Sequence, residues 1–308
     1  MASAHDDDVA DRVSGAGIHA TTVRCTTSTR IVFIFARYRG GMTDTPAHLQ
    51  ALAIDIAREA GELARRRRSE GVSIAATKST LADIVTEADR EVENLVRRRI
   101  AEERPGDGFL GEESGAERGT TDITWVVDPI DGTVNYAYGI PAYAVSIAAV
   151  SGEPDPAHYT AQAAAVFNPA SGELFHAARG EGAHLDGARL AVTPAPDVSG
   201  ALVATGFGYD PSTHAGDLAR AGRVLAFSRD LRRIGAASLD LAFVAAGRLD
   251  GYFERGLHPW DHAAGALLVT EAGGLVGGGG EGGTPSRVMT VAAGPELFPR
   301  LLEAALAV

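Results

Sequence analysis

Apolar residues return every three or four positions from Leu49 through Leu52, Ala53, Ile56 and Ala60 to Leu63, which is the spacing of one helical face. Thr45 stands before this run as an N-cap and Pro46 suits the first helical position, so a helix is expected from Pro46 onward. A second stripe, Val92, Leu95, Val96 and Ile100, predicts a helix over 87–103 with Pro105 as its stop. The middle of the chain then changes period. Trp125-Val126-Val127 reads as a strand ending at an aspartate, and 143–150 is largely apolar. Strands at 161–167 and 174–178 flank the turn signals Asn168-Pro169 and Gly172. Further on, strands expected at 201–205, 231–234 and 250–254 alternate with helices near 215–225, over 237–246 and over 261–272. Such interleaving argues for stacked layers of helix and sheet. The glycine run at 277–283 lacks the strand-to-helix context of a phosphate cradle and reads as a flexible surface loop.

Residues 1–41 share none of this periodicity and carry the only cysteine, Cys25. They read as a disordered extension or a mis-assigned start ahead of Met42, with one catalytic domain over 42–308. Their opening Asp6-Asp7-Asp8 speaks against a targeting peptide, which is usually poor in acid. A length of 308 residues with 45% hydrophobic and 22% charged positions is ample for a large core. A net charge of −12 and the lack of a basic face with interleaved aromatics disfavour nucleic acid as a partner. The same acidity asks how an anionic substrate would be held, and a multivalent cation answers by inverting the local field. A single cysteine excludes an internal disulfide and a cysteine-based zinc site, which fits the cytoplasm. No apolar run reaches the ~20 residues of a membrane-spanning helix.

The chemistry concentrates in Asp128-Pro129-Ile130-Asp131-Gly132-Thr133. Pro129 fixes φ and Gly132 permits a tight turn, so both carboxylates can project from one strand end and share hard cations, with the Ile130 carbonyl as a further oxygen ligand. A helix starting after Gly132 would point its first N–H groups at a phosphate. Three other acidic positions stand near predicted element ends: Glu112 in Gly111-Glu112-Glu113-Ser114, Asp89 at the head of the second helix, and Asp261 in Trp260-Asp261-His262-Ala263-Ala264-Gly265. Taken singly, Asp89 and Asp261 read as helix caps and Glu112 as a solvated loop acid. His258 reads as an exposed loop residue and Trp260 as a packing residue. Haloacid-dehalogenase phosphatases also place aspartates at a strand end, but two residues apart; here the spacing is three and a proline intervenes.

Together these blocks, in this order and spacing over 78–274, resemble the inositol monophosphatase family, and within it the bacterial inositol-1-monophosphatases. The resemblance implies an α+β fold, a layered α-β-α-β-α sugar-phosphatase sandwich. It implies a lithium-sensitive site of two or three Mg²⁺ ions held by Glu112, Asp128, Asp131, Asp261 and the Ile130 carbonyl, with Asp89 helping to hold a weaker additional ion. By the same likeness Glu112 and Thr133 orient the attacking water, and Lys78 sits where the family has a mobile loop near the site. Gly132 and Thr133 would hold phosphate through their amides. Gly235, Ala236, Ala237 and Glu254 would line the polyol, with Asp131 and Asp261 also reaching substrate. The implied reaction is hydrolysis of myo-inositol 1-phosphate by a metal-activated water, in a cytoplasmic homodimer. Relatives also handle fructose-1,6-bisphosphate, histidinol phosphate and 3′-phosphoadenosine 5′-phosphate. A different class of role, as a metal-dependent interaction module of the transcription machinery, is open beside catalysis.

Overall fold

The computed structural model describes residues 45–71, 74–77, 84–197 and 200–307. The expectation for residues 1–41 and the position of Lys78 lie outside the described residues. In chain order the first elements are α1 (Pro46–Glu70), β1 (Ile74–Thr77), β2 (Ile84–Thr86), α2 (Glu87–Glu103), β3 (Gly108–Gly111), β4 (Gly115–Glu117) and β5 (Ile123–Asp131). The short α3 (Thr133–Tyr138) is followed by β6 (Ala144–Ser151), β7 (Thr160–Phe167), β8 (Leu174–Ala178), β9 (Gly182–Leu185) and β10 (Ala188–Arg189). The last third holds β11 (Ala201–Thr205), α4 (His214–Leu225), β12 (Ser228–Arg232), α5 (Ala237–Ala245) and β13 (Gly251–Glu254). It closes with α6 (Pro259–Glu271), β14 (Leu275–Gly278), β15 (Thr290–Ala293) and α7 (Phe298–Leu306).

Among the described residues, eight strands form one sheet in the order β10-β9-β8-β7-β6-β5-β3-β4, and five form another, β12-β11-β13-β15-β14. Helices α1 and α2 cover one face of the larger sheet, and α5 and α6 lie between the two sheets. Helices α4 and α7 cover the outer face of the smaller sheet. The result is a five-layer α-β-α-β-α sandwich. The sequence explains the layering. Along β6 the residues alternate between two cores: Val145, Ile147 and Ala149 join α1 and α2, while Ala144, Ala148 and Val150 face α5 and α6. A strand covered on both faces is apolar throughout, which is why 143–150 shows no alternation. Helix α5 is buried from Ala237 to Ala242 and again at Val244 and Ala245, as a helix between two sheets must be.

Four expectations shift. Strand β5 does not end at Asp128 but runs on to Asp131 through a bulge, where Asp128 pairs with Ser146 and Asp131 with Ala144, leaving Pro129 and Ile130 opposite one residue. Strand β12 begins at Ser228 and ends before Ile234. Helix α6 starts at Pro259, two residues before Asp261. The glycine run is not one loop: Gly277 and Gly278 belong to β14, paired with Val291 and Thr290, and only the residues beyond them turn away.

The close approach of strands explains Gly278. A Cβ there would sit 1.9 Å from the Met289 carbonyl oxygen, whereas at Gly282 it would meet nothing within 4 Å. Gly278→Ala is therefore expected to lower unfolding free energy by about 1–3 kcal/mol through overpacking. Gly282→Ala should lose only about 1 kcal/mol, from its left-handed φ. Urea melts of the two variants compare them; a greater loss at Gly282 would contradict the strand assignment of β14.

Candidate active site

Strand pairing brings the first two acidic motifs together. Gly111 at the end of β3 stands beside Val127 of β5, and the Glu112 amide continues that ladder by donating to the Val127 carbonyl at 3.2 Å. Glu112 is thereby placed next to Asp128 at the point where β5 bulges. Glu93 of α2 supports this corner, its Oε2 accepting the Glu113 amide at 2.8 Å. The bulge is closed by Asp128, whose Oδ1 accepts the Ile130 amide at 3.1 Å.

Two helix N-termini supply the next two acids. Asp89 is the third residue of α2 and completes a capping box with Thr86: its Oδ2 accepts the Thr86 amide at 2.8 Å and the Thr86 hydroxyl at 2.5 Å. Asp261 holds the same position in α6, its Oδ2 accepting the His258 amide at 2.6 Å. Ser146 of β6 fixes that helix start to the sheet by reaching the Trp260 carbonyl at 3.4 Å. The capping reading of Asp89 and Asp261 is thus correct, and each sits in the acidic cluster as well. A carboxylate at a helix N-terminus is stabilised by the helix dipole, which helps anions gather here.

Asp131 caps a third helix. Its carboxylate accepts the Ala237 amide at 3.2 Å, the Ser238 amide at 2.6 Å and the Ser238 hydroxyl at 2.5 Å, all from the start of α5. Gly132 makes the contact possible. It lies at φ 86°, and a Cβ there would press on Gly235, Ala236 and the Ala142 carbonyl. Asn135 ties the same loops by donating to the carbonyls of Ala142 at 2.7 Å and Ile234 at 2.9 Å. The expected α3 does start at Thr133, whose hydroxyl lies 3.1 Å from the Ile130 carbonyl and 3.3 Å from Asp89 Oδ1.

Asp128, Asp131 and Asp261 each bring one carboxylate oxygen within 4.8 Å of the others. Among the described residues no arginine or lysine forms an ion pair with any of these three. Burial, then the charge of Glu112, pushes the Asp128 and Asp261 carboxyls well above the usual carboxylate range. Burial lifts Asp131 to about 6 against the opposing Ser238 bonds, and lifts Asp89 to about 7. Buried like charges at this distance are favourable only with protons or a cation between them. An all-oxygen donor set of carboxylates fits a hard divalent ion, so the residues present suit such a metal.

With this geometry in view, the comparisons are specific. The model of the inositol monophosphatase family matches residues 45–307. The chain belongs to the inositol monophosphatase family. It is 43% identical over 282 residues to the inositol-1-monophosphatase SuhB of Mycobacterium tuberculosis, covering 84% of this chain and 93% of that one. It is 41% identical over 228 residues to the Nus factor SuhB of Escherichia coli K12, covering 73% and 83%. The crystal structure of extragenic suppressor protein suhB from Bartonella henselae superposes with a TM-score of 0.75 at 35% identity, over 83% of this chain and 98% of that one. Membership makes this a metal-dependent phosphatase, a phosphoric monoester hydrolase of the inositol monophosphatase type.

For this family member the polyol strip expected from sequence lies beside the acids: Gly235, Ala236 and Ala237 touch Gly132 and Asp131. Glu254 is no solvated strand end. Its Oε2 accepts the Tyr252 hydroxyl at 2.7 Å, and burial, with Asp131 and Asp217 adding charge, raises its carboxyl to about 7 against the pull of Tyr252 and Arg233. His258 is not an exposed loop residue but the half-buried N-cap of α6, stacked on Trp260 at 4.6 Å with the rings 4° apart. Sequence reasoning missed Ser238, Thr86, Tyr252 and the buried Asp240, whose carboxylate oxygens have no partner among the described residues. Thr86-x-x-Asp89 was legible as a capping box. The others carry no local signal, because each partner is distant in the chain or set by the fold.

No helix among the described residues is long and apolar enough to cross a membrane.

These shifts set the pH response without metal. Asp89 and Glu254, raised to about 7, stabilise the fold fully below the unfolded carboxylate values near 4, and that stability is lost as pH rises through 7. Buried His262, lowered to about 4, has the opposite sign and destabilises only as pH falls below about 6.5. Between pH 6.5 and 8 in chelator, unfolding free energy should therefore fall by on the order of 1–2 kcal/mol per pH unit. Saturating Mg²⁺ should flatten the slope. A chelator profile that is flat or rising in this window would contradict the buried-acid electrostatics.

Proposed function

We propose that the chain hydrolyses myo-inositol 1-phosphate to inositol and phosphate with two or three Mg²⁺ ions. The observation that carries this reading is the buried trio Asp128, Asp131 and Asp261 within 4.8 Å, set against a polyol-sized strip on α5. In this reading Glu112, Asp128, Asp131, Asp261 and the Ile130 carbonyl hold the ions, and Asp89 helps with a weaker one. Bound Mg²⁺ supplies charge cancellation for the phosphate dianion and a water of lowered pKa.

The remaining roles belong to the chain. Glu112 and the Thr133 hydroxyl accept hydrogen bonds from the attacking water and aim it at phosphorus, opposite the leaving oxygen. The Gly132 and Thr133 amides donate to the phosphate oxygens. Glu254 presents Oε1 to ring hydroxyls while Tyr252 occupies Oε2, and Gly235, Ala236 and Ala237 lie against the ring. A carboxylate facing hydroxyls favours a polyol or sugar over an adenine nucleotide, so fructose-1,6-bisphosphate and histidinol phosphate rank behind inositol phosphate and 3′-phosphoadenosine 5′-phosphate last. The protein acts as a cytoplasmic, lithium-sensitive homodimer. The relative named Nus factor SuhB supports a second role with the transcription machinery, through protein contact and beside catalysis.

Asp128→Asn should abolish phosphate release from inositol 1-phosphate, as should excess chelator, while the folded spectrum persists. In chelator the variant should melt no lower than the parent, because one repelling charge is gone. Full turnover by either would refute the metal-dependent reading.

Glu254→Gln tests the substrate class. Loss of a charge-assisted bond of about 1.5–3 kcal/mol should lower kcat/KM for inositol 1-phosphate roughly ten- to a hundredfold. p-Nitrophenyl phosphate offers no ring hydroxyl there and should be hydrolysed at nearly the parent rate. Equal losses on both esters would place Glu254 among the catalytic acids instead.

A further inference from the structure

Asp131 is bound unequally at its two oxygens. Oδ2 accepts two short hydrogen bonds, from the Ser238 amide at 2.6 Å and the Ser238 hydroxyl at 2.5 Å, whereas Oδ1 accepts a single longer one, from the Ala237 amide at 3.2 Å. A carboxylate oxygen has two lone-pair directions, so Oδ2 is filled and Oδ1 keeps one open. Ser238 is fully buried, with no water to compete for its hydroxyl. Its backbone belongs to the first turn of α5, where amides lack helical partners and are free to donate to Asp131.

We propose that Ser238 is a positioning residue that fills Asp131 Oδ2 and so makes this carboxylate a one-oxygen ligand, favouring Mg²⁺ over Ca²⁺. The inference rests on the reading of Asp131 as a metal ligand. Its physical basis is the difference between the two ions. Ca²⁺ takes six to eight oxygens at 2.3–2.6 Å and welcomes bidentate carboxylates, while Mg²⁺ requires an octahedron at 2.0–2.1 Å and disfavours them. A carboxylate pinned at one oxygen cannot swing to chelate the larger ion. The same contact ties the ion to the start of α5, so the strip read as polyol-facing and the metal ligand are held as one unit.

The test is calorimetric titration of the full-length, metal-free protein with Mg²⁺ and with Ca²⁺, in the parent, Ser238→Ala and Ser238→Cys. Outer-sphere partners of a ligand are commonly worth ten- to a hundredfold in affinity, so Ser238→Ala should weaken Mg²⁺ by that factor. Ca²⁺ should be weakened less or tightened, so that the Mg²⁺/Ca²⁺ affinity ratio falls at least about tenfold. Ser238→Cys keeps the shape with a weak donor and should fall between. A merely structural role would lower the melting temperature and weaken both ions alike, which would overturn the inference, as would unchanged Mg²⁺ affinity. A parent protein that binds neither ion would overturn the metal reading itself; a parent that binds Mg²⁺ with an unaltered ratio in Ser238→Ala would overturn only the role of Ser238.

Discussion

Repulsion among buried carboxylates is the constraint on which the rest of the structure turns. Asp128, Asp131 and Asp261 meet within 4.8 Å, with Glu112 and Asp89 adding their charge, in a protein that already carries a net charge of −12. Such a cluster is unfavourable in a low-dielectric interior unless something opposes it. The fold opposes it with backbone dipoles. Three helices, α2, α5 and α6, direct their N-termini at the cluster, and each donates an amide at its start to one of the acids. These donors orient the carboxylates and reduce the penalty without neutralising it, which leaves a strong preference for a divalent cation.

The layered architecture is what lets the three helix ends converge. Helices α5 and α6 lie between the two sheets, and α2 lies on the far side of the larger one. Only at the bulged end of β5 can groups from both sides meet, because the bulge turns Asp128 and Asp131 out of the regular alternation. Small residues along β6 and β7, Ala148, Ala149, Ala163, Ala164 and Ala165, allow the covering helices to approach closely. A strand ending at Asp128, as its composition suggested, would have presented one aspartate to the site; the bulged continuation presents two.

How much of this was legible depended on the range of the interaction. Helix α2 was readable at both ends and α1 at its start, since the capping threonine, the apolar stripe and, for α2, the proline beyond its end all lie within one segment. The acidic motifs were readable because their residues cluster in sequence. Contacts closed by the fold were not. Ser238 meets Asp131 across 107 positions, and the β14 glycines are explained only by the carbonyl of the neighbouring strand. His258 shows the same limit from another side: Pro259 suits a first helical position, but no Ser, Thr, Asp or Asn stands before it to mark the cap.

The claim that this cluster is built to hold divalent cations is tested most directly by crystals grown with Mn²⁺ in place of Mg²⁺, using anomalous scattering. The account predicts a strong anomalous peak between Asp128, Asp131 and Asp261, with carboxylate oxygens about 2.0–2.2 Å from it. Ordered protein in saturating Mn²⁺ with no peak there, or with the three carboxylates turned apart and paired to side chains instead, would contradict it.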